Sequence, residues 1–436
     1  MCLTHFSVPA WCRLTLFVAE TRFREKTKVR RRLNLGIGLL AFLCSILGLL
    51  ILNRPVPFPQ GGLLHWNKKK ALDGYNVLKE ECRVLDMKGE LVYKFPGSMC
   101  VFYNNGDVAS YQNGMLMMYR LRPSMKILWQ QKVWAHHEIR KDDKGNIWLN
   151  GWRTHKFKGR LIRFESIHQF SRQGKLLYAW DSSTRMKALA RLIGLEKELS
   201  RPAHELFQLQ YTDYAHLRYG RSTYYARYMY NIGQLLEPNI GTPLNTKFAF
   251  LHSNSVSVIP PNPYTAKYPF YRAGNIVTHL NPHNVLVIID PRTDKVVWSM
   301  KSGKRRGLGQ HSLRITKQQT FLYFSNNDAI DDQGTLRNHS KIIELNPRTR
   351  KIVWEYTGTP KSSFWSNRMG SVQRLSNGNT LICDSLNGRA FEVTPDKEIV
   401  WHWFHRFVPE AGRRMEVFNL ERQPKAVIQR AMPLGP

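Results

Sequence analysis

Short runs of alternating apolar and polar residues recur along the chain in pairs, and each pair flanks a turn that carries Asp, Asn, Pro or Gly. This pattern is typical of a β-hairpin. The copies follow one another at a spacing of roughly 50 residues, which indicates a repeat architecture. The second run of each copy ends in an aromatic residue, and these aromatics are Tyr93, Trp129, Tyr178, Trp298, Trp354 and Trp401.

A second unit lies between these hairpins, in which a Ser or His stands shortly before a strand introduced by a Gly or Asn turn. These positions are Ser98, His137, His252, His311 and Ser371. Two hairpins build one four-stranded blade, so the repeat predicts an all-β fold, a six-bladed β-propeller over residues 74–425. We expect the C-terminal stretch 413–423 to close the ring against the hairpin at 82–95, because closure removes free edge strands.

The uncharged stretch 33–52 predicts a transmembrane helix, because its twenty residues would span about 30 Å, the thickness of the hydrocarbon core. Its N-terminal flank is rich in Arg and Lys, whereas Arg54 is the one charge shortly after it. By the positive-inside rule, residues 1–32 form a cytoplasmic segment and the large domain is exported. Residues 53–73 are then a linker, and residues 426–436 a C-terminal tail.

Composition supports the β-rich prediction and adds a strong positive charge. Aromatic residues make up 12% of the chain, including 12 Trp, which favours β-structure. The formal net charge is +33, which would attract nucleic acid, anionic lipid, an acidic polymer or a small sulfated molecule. A basic surface suited to its surroundings explains the charge equally well. The exported topology argues against nucleic acid, so we predict no nucleic-acid partner.

The six cysteines form no CxxC motif, and no Cys/His spacing suits zinc. Cys82 and Cys100 could pair in an oxidising compartment, and two free buried thiols are at least as consistent with the sequence. Dinucleotide, P-loop, zincin and hydrolase-elbow motifs are absent from the sequence. No acidic cluster suits the metal of a quinone-dependent propeller. We therefore predict no cofactor and no metal.

Three histidines occupy the position at which the inner strands of different blades should meet. Those strands converge on the central channel of a propeller, so residues at equivalent repeat positions lie together although they are distant in sequence. The repeat places His137, His252 and His311 at this position. A lone His in a β-protein is more often structural, but three in register indicate a functional site.

The motifs around these histidines resemble those of the bacterial arylsulfate sulfotransferase family. The matching stretches are His136-His137-Glu138-Ile139 (family H(D/E)I), His252-Ser253-Asn254-Ser255 (HxNS), Gln310-His311-Ser312 (QH(T/D)) and the GS-x-Q-x-L-x-NGNTLI element at 369–382. Their order agrees with the predicted blades. The resemblance runs from about residue 74 to 425 and is clearest after residue 250.

The resemblance implies a periplasmic propeller that moves a sulfuryl group from a phenolic sulfate ester to a phenolic acceptor. His311 would be the nucleophile, and a ping-pong reaction would pass through a sulfo-histidine. His252, Asn254 and His137 would surround the sulfuryl oxygens or protonate the leaving oxygen. The remaining candidate substrate-binding residues are Asn327, which would support the His311 loop, Lys341, Ser371 and Arg272.

This sequence departs from the family pattern in one charged position. The family carries an Arg in the strand after the HxNS element, where this chain has Leu280 or Asn281. Arg272, His279 or His283 could substitute for it. The family's later Ser-Arg pair reads Ser340-Lys341, which keeps the charge but loses the fork geometry. The alternative is therefore a non-catalytic, membrane-anchored propeller that binds an envelope partner or an anionic ligand.

The spacing between the third and fourth aromatic repeats is about twice the others, and the excess falls at about 182–238. It begins with helical periodicity and continues into a Tyr- and Arg-rich stretch. The stretch is either a lid whose rings stack on a phenolic substrate or a helical excursion that covers a blade edge, which we favour. We expect attachment to the bacterial inner membrane through residues 33–52, and a homodimer is left open.

Overall fold

The computed structural model describes residues 60–157, 160–194, 196–197, 251–281, 283–301, 309–326, 339–366, 369–411 and 413–433. All of them belong to the unit Gln60–Pro436. The predicted cytoplasmic segment 1–32 and the predicted transmembrane helix 33–52 lie outside the described residues. Among the residues that are described, none forms a helix long and apolar enough to cross a membrane.

The described residues form twenty-seven strands, which pair antiparallel. Their bounds are β1 (Gly62–Trp66), β2 (Tyr75–Leu78), β3 (Arg83–Leu85), β4 (Leu91–Lys94), β5 (Ser98–Phe102), β6 (Asp107–Gln112), β7 (Met115–Arg120), β8 (Lys126–Lys132), β9 (Ala135–Lys141), β10 (Ile147–Phe157), β11 (Arg160–Phe170), β12 (Leu176–Asp181), β13 (Val256–Val258), β14 (Ile276–Leu280), β15 (Val285–Asp290), β16 (Lys295–Lys301), β17 (Gln310–Ile315), β18 (Phe321–Ser325), β19 (Lys341–Asn346), β20 (Lys351–Tyr356), β21 (Ser371–Arg374), β22 (Thr380–Asp384), β23 (Arg389–Val393), β24 (Ile399–Phe404), β25 (Phe407–Val408), β26 (Arg413–Arg414) and β27 (Leu420–Gln423).

Apart from the small β25-β26 pair, these strands make six sheets, and each sheet is one blade. From the channel outward the blades are β27-β2-β3-β4, β5-β6-β7-β8, β9-β10-β11-β12, β13-β14-β15-β16, β17-β18-β19-β20 and β21-β22-β23-β24-β1, numbered here as blades 1 to 6. The predicted all-β six-bladed β-propeller is confirmed. The C-terminal strand β27 pairs with β2, with Leu78 opposite Leu420, so the ring closes as the sequence predicted.

The repeated aromatic residue of the sequence pattern joins each blade to the next. Trp129 Nε1 donates to the Arg172 carbonyl at 2.8 Å, and Trp354 Nε1 donates to the Pro395 carbonyl at 2.9 Å. Trp401 Nε1 closes the ring in the same way, on the Met87 carbonyl at 2.8 Å. Each acceptor lies in the turn between the two outer strands of the following blade. The repeated aromatic residue therefore marks the contact between adjacent blades.

The hydrophobic core lies between the blades rather than in one central mass. The described residues form six buried clusters, and each cluster combines side chains of two adjacent blades. The cluster between blades 3 and 4, for example, contains Trp148, Trp180, Val256 and Val287. Because each sheet is apolar on both faces, the blades can stand side by side around a channel whose walls are left to polar residues.

Both ends of the propeller add structure where the sequence predicted a linker and a tail. β1 lies inside the predicted linker 53–73 and pairs with β24 as a fifth strand of blade 6. A helix, α2 (Lys425–Ala431), opens the predicted tail 426–436 and buries Ile428 between blades 1 and 2. Apolar side chains at both ends pack against neighbouring blades. Parts of the predicted linker and of the predicted tail therefore belong to the propeller.

Helical structure in the predicted insertion 182–238 is short where it is described. A 3-10 turn at Ser182–Arg185 leads into α1 (Met186–Ile193), which ends at Gly194 with a left-handed φ of 72°. Leu189 and Ala190 of α1 pack between blades 3 and 4. Further 3-10 turns occur at Pro269–Tyr271, Lys361–Ser363 and Pro409–Ala411. The Tyr- and Arg-rich stretch, for which the lid was considered, lies outside the described residues.

A disulfide joins Cys82 and Cys100, whose Cα atoms lie 5.6 Å apart. Cys82 follows β2 in blade 1 and Cys100 belongs to β5 in blade 2, and both residues are fully buried. The bond therefore links the first two blades of the chain directly beside the point of ring closure. Of the two alternatives that the sequence left open, the structure adopts the paired one.

Candidate functional site

The inner strands β5, β9, β13 and β17 run side by side around the channel, so that their first residues meet at one face of the propeller. His136 and His137 stand at the start of β9, and His311 near the start of β17. His252 precedes β13 and is held by paired backbone hydrogen bonds to Asn281 of 2.8 and 3.0 Å. Three blades thus deliver imidazoles to one mouth of the channel.

A β-bulge at this mouth recurs in blades 2, 3 and 5, and its position defines which residues of the inner strands are equivalent. His137 has a φ of 63°, and the corresponding bulge residues of blades 2 and 5 are Met99 and Ser312, with φ values of 56° and 54°. His136, and not His137, is therefore the register partner of His311, which corrects the sequence prediction. Because His137 has the left-handed conformation of a bulge residue, the side chains of the adjacent residues His136 and His137 both point toward the histidine cluster.

The histidines predicted to meet do lie together. His137 Nε2 is 2.7 Å from His252 Nε2. The ring centroids of His137 and His311 are 5.7 Å apart, and those of His136 and His252 are 5.5 Å apart. We call His136, His137, His252 and His311 the channel histidines. His136 is the member that the sequence analysis left out of its candidates, although it stands in the quoted H(D/E)I motif.

His311 is oriented by Asn326, which is fully buried. Asn326 Nδ2 donates to the carbonyl oxygens of Ser366 and Met369, so its Oδ1 must be an acceptor. That Oδ1 lies 2.5 Å from His311 Nδ1. His311 Nδ1 therefore carries the proton, and the lone pair of the neutral ring is on Nε2. The candidate Asn327 lies outside the described residues and stays a prediction. Its neighbour Asn326 contacts His311.

Asn254 and Asn281 shape the backbone around His311. Asn254 Nδ2 donates to the Gln310 carbonyl at 2.8 Å, and its buried Oδ1 has no hydrogen-bond partner among the described residues. Asn281 stands near the position of the family's Arg and packs against Gly309, where a Cβ atom would lie only 2.2 Å from Asn281 Oδ1. Leu280, the alternative for the Arg position, is buried in the core.

The three other candidate substrate-binding residues are engaged elsewhere or lie apart. Ser371 Oγ accepts from Leu420 N at 3.1 Å and so ties blade 6 to blade 1. Lys341 Nζ lies 3.1 Å from both carboxylate oxygens of Glu355. Arg272 is exposed in the connection beyond the Val258–Ile276 pair, at the opposite end of the blade from His252. The geometry gives Arg272 no place beside the channel histidines, and the roles of Ser371 and Lys341 stay predictions.

A network of buried charges fills the channel next to the histidines. Arg314 Nη1 lies 2.8 Å from Glu138 and Nη2 lies 3.1 Å from Glu421, and Lys79 lies 3.4 Å from the second oxygen of Glu421. Burial raises the pKa of Glu138 to about 7, against the opposing effect of Arg314. Burial first, and then the neighbouring imidazoles, hold the pKa of His137 well below its usual value, so His137 is neutral at neutral pH.

His136 has its own anchoring partners on the β10–β11 hairpin. Its Nε2 is 2.8 Å from Glu165 Oε2, and the exposed fractions of the two side chains are 10% and 2%. The Trp152 ring stacks on the imidazole, with centroids 5.0 Å apart and an interplanar angle of 28°. The sequence could not reveal this contact, because it depends on strand register rather than on a motif.

A cavity of about 570 Å³ opens between blades 1 and 2, at the end of the propeller that carries the channel histidines. Its walls include Phe95, Ser98 and Tyr111. Ser98 occupies in blade 2 the position that His136 occupies in blade 3, and Tyr111 Oη accepts from the Ala135 amide at 3.3 Å. The cavity thus combines aromatic walls with a direct connection to the strand that carries two of the histidines.

The fold and the gathered imidazoles define a β-propeller with a polyhistidine site at one channel mouth. Residues 239–407 match the model of the arylsulfotransferase (ASST) family. The family resemblance predicted from the motifs is therefore confirmed over these residues. The match includes His252 and His311, whereas His136 and His137 precede it. No curated protein matches the sequence.

Several solved structures are similar to this chain. A protein of unknown function from Bacteroides caccae shares 12% identity at a TM-score of 0.40, covering 79% of this chain and 93% of its own. A streptogramin B lyase shares 10% at a TM-score of 0.38, with 80% and 85% covered. A virginiamycin B lyase from Staphylococcus aureus shares 9% at 0.35, with 83% and 87% covered. These likenesses are too distant to inform function.

Proposed function

We propose that this protein transfers a sulfuryl group from a phenolic sulfate ester to a phenolic acceptor, with His311 as the nucleophile. The observation that carries the proposal is the hydrogen bond from His311 Nδ1 to Asn326 Oδ1 at 2.5 Å. It makes Nε2 the nucleophilic nitrogen and fixes the plane of the ring. The family match over residues 239–407 supports the same reaction class.

In the first half-reaction, the His311 Nε2 lone pair attacks the sulfur of the donor. The N–S bond forms as the S–O bond to the aryl group breaks, and the electron pair leaves with the phenolate oxygen. A neighbouring imidazolium supplies a proton to that oxygen. Because His137 is neutral, we assign this role to His252, whose ring centroid lies 4.8 Å from that of His137. General acid catalysis of this kind contributes about 10²–10⁴-fold to a rate.

In the second half-reaction, the hydroxyl oxygen of an acceptor phenol attacks the sulfur of the sulfo-histidine. The N–S bond breaks, its electron pair returns to His311 Nε2, and the phenol proton passes to the imidazole that was deprotonated in the first step. The enzyme is thereby restored with charge and protons balanced. Because the donor product leaves before the acceptor reacts, initial-rate data should show ping-pong kinetics.

The transferring group carries negative charge over three oxygens, so polar groups must surround it. In this proposal the imidazole N–H groups of His137 and His252 serve that purpose. Asn254 fixes the Gln310 carbonyl next to His311 and is therefore a positioning residue. The net charge of +33 would draw the anionic donor toward the channel. The aromatic-walled cavity beside Tyr111 suits the aryl ring of either substrate.

The location proposed for this reaction is the periplasmic side of the bacterial inner membrane. The uncharged stretch 33–52 with its basic N-terminal flank supports an N-in anchor. The Cys82–Cys100 disulfide fits an oxidising compartment such as the periplasm. The membrane is thus a proposed partner through residues 33–52, and the other partners are the small phenolic donor and acceptor.

The test is to incubate the detergent-solubilised full chain with 4-nitrophenyl sulfate and a second phenol. We expect release of 4-nitrophenolate together with the sulfated acceptor, and loss of both in His311→Ala. His155→Ala is a matched control, because His155 pairs with Asp181 on the outer side of blade 3. Release of nitrophenolate without a sulfated acceptor would indicate hydrolysis and contradict transfer.

The alternative is a non-catalytic propeller that binds an anionic ligand at the same mouth, and one observation favours it. Asn281, a neutral side chain, stands near the position of the family's Arg and packs against Gly309. Under this alternative the full chain would bind 4-nitrophenyl sulfate without cleaving it. Isothermal titration of the full chain with 4-nitrophenyl sulfate measures binding, and the turnover assay measures cleavage. Together the two measurements separate the two functions.

A further inference from the structure

We propose that His136, His137 and His252 form a binding site for a divalent transition-metal ion of the Zn²⁺ class. The three side chains come from two adjacent blades, and their potential ligand nitrogens all lie within 4.8 Å of one another. This site was not expected from the sequence, which predicted no metal. The inference does not depend on the sulfuryl-transfer proposal.

His136 provides the first argument, because its two nitrogens are already differentiated. The Glu165 carboxylate accepts from His136 Nε2 at 2.8 Å, so that nitrogen carries the proton. The lone pair is then on Nδ1. His136 Nδ1 is buried and makes no hydrogen bond within the described part of the chain. A buried acceptor without a partner costs free energy, and a metal ion would satisfy it.

The surroundings of His136 match what metal-bound histidines need. Ligand histidines commonly donate their other ring nitrogen to a carboxylate, which fixes the tautomer and raises the basicity of the ligand nitrogen. Glu165 takes this role, and it is 2% exposed. Trp152, stacked on the ring with centroids 5.0 Å apart, fixes the ring plane as well. Two independent contacts therefore pre-organise the His136 ring.

His137 and His252 provide the second argument. Their Nε2 atoms face each other at 2.7 Å. A tetrahedral Zn²⁺ with Zn–N bonds of about 2.0–2.1 Å separates its ligand nitrogens by about 3.3 Å. The separations in this cluster run from 2.7 Å to at most 4.8 Å, so they bracket that value.

The donor set also selects the kind of metal. Imidazole nitrogens suit Zn²⁺, Cu²⁺ and Ni²⁺, whereas Mg²⁺ and Ca²⁺ prefer oxygen ligands. Three protein ligands leave a fourth position of a tetrahedral ion open. The His137 and His311 ring centroids are 5.7 Å apart, so the ion would lie beside the proposed nucleophile. A bound ion would occupy ring nitrogens of His137 and His252, which the transfer proposal places around the sulfuryl oxygens. Zinc should therefore inhibit the transfer reaction.

The test is isothermal titration of the chelator-treated, tag-free full chain in detergent with ZnCl₂, and with MgCl₂ as the oxygen-preferring comparison. We expect one equivalent of Zn²⁺ per chain and no Mg²⁺ binding at the same concentrations. Glu165→Gln should weaken zinc binding by about 10–100-fold, which is the usual effect of losing the partner of a ligand histidine. His136→Ala should weaken it at least as much. His155→Ala should leave it unchanged.

Substitution of Zn²⁺ by Co²⁺ adds a readout that does not depend on activity, because tetrahedral Co²⁺ with nitrogen ligands absorbs visible light. The thermal midpoint of each variant without metal confirms that it is folded. The proposal is overturned if no zinc binds, or if zinc binds with the same affinity in His136→Ala and Glu165→Gln as in the parent. His311→Ala lacks the proposed nucleophile. Zinc binding in this variant would show that the metal site exists whether or not the transfer proposal holds.

Discussion

Asn326 Oδ1 lies 2.5 Å from His311 Nδ1, and this contact determines which nitrogen of His311 can act as a nucleophile. The arrangement depends on two carbonyl oxygens that occupy Asn326 Nδ2 and so prevent the amide from turning over. The backbone of blades 5 and 6 therefore defines the tautomer of a channel histidine. The relationship leads to a direct test.

Replacing Asn326 by Ala should lower kcat of sulfuryl transfer by roughly 10–100-fold with a small change in KM, because the lone pair is no longer kept on Nε2. Initial rates over a range of donor concentrations give kcat and KM separately. Asn387→Ala is the matched control, because Asn387 Nδ2 also donates to a backbone carbonyl, that of Trp365. An Asn326→Ala enzyme with unchanged kcat would exclude the positioning role.

Gly309 is a position at which a single methyl group should displace His311. Its φ is 95°, and an added Cβ would meet Asn281 Oδ1 at 2.2 Å. We expect Gly309→Ala to lower both the melting temperature and the transfer rate. Asn281→Gly should restore part of the melting temperature in the double variant, since it removes the clashing side chain. Equal losses in the single and the double variant would contradict the contact.

The disulfide should contribute measurably to stability. Closing the 18-residue separation between Cys82 and Cys100 is worth about 3 kcal/mol by the chain-entropy model. The Cys82→Ser/Cys100→Ser double variant should therefore unfold at lower urea concentration than the parent. A reductant should shift the parent toward the double variant and leave the double variant unchanged. An equal effect of reductant on both proteins would show that the disulfide is not the cause.

Acidification should destabilise the propeller below about pH 6.5, the usual pKa of His. Burial lowers the folded-state pKa of five described histidines, His137, His168, His279, His402 and His405. A lowered folded pKa means that the unfolded chain binds the proton first, so the stability present above pH 6.5 is lost as the pH falls.

Buried carboxyls act in the opposite direction. Burial raises the pKa of Glu80 and of Glu138 to about 7, so their contribution is present below the ordinary Glu pKa and is lost as the pH rises through 7. Burial also raises the pKa of Asp384. The five histidines outnumber these three carboxyls, so the net prediction is lower stability at pH 5 than at pH 6.5. Urea denaturation at both pH values measures the difference, and a higher midpoint at pH 5 would contradict the prediction.

The sequence predicted the propeller and its closure because the repeated features are those that dock the blades. Trp129, Trp354 and Trp401 recur because each donates to the next blade's outer turn. The meeting of His137, His252 and His311 was predictable for the same reason. Equivalent positions on inner strands converge whatever lies between them in the chain.

Other parts of the site depend on local backbone geometry that no repeat reveals. The bulge residue His137 corresponds to the bulge residue Ser312, so His136 is the register partner of His311. The pairing of Glu165 with His136 comes from the long β10–β11 hairpin. Motif alignment pointed to Asn327, whereas the backbone turn after β18 presents Asn326. Arg272 was chosen for its charge, but it stands at the far end of its blade.

The most direct test of the central claim is to expose the full chain to 4-nitrophenyl sulfate without an acceptor, quench it at neutral or alkaline pH, and map the modified peptide by mass spectrometry. The account predicts one sulfuryl group per chain, on His311, which disappears when a phenol is added. A chain that releases no nitrophenolate and carries no label, or carries the label on a residue other than His311, would contradict it.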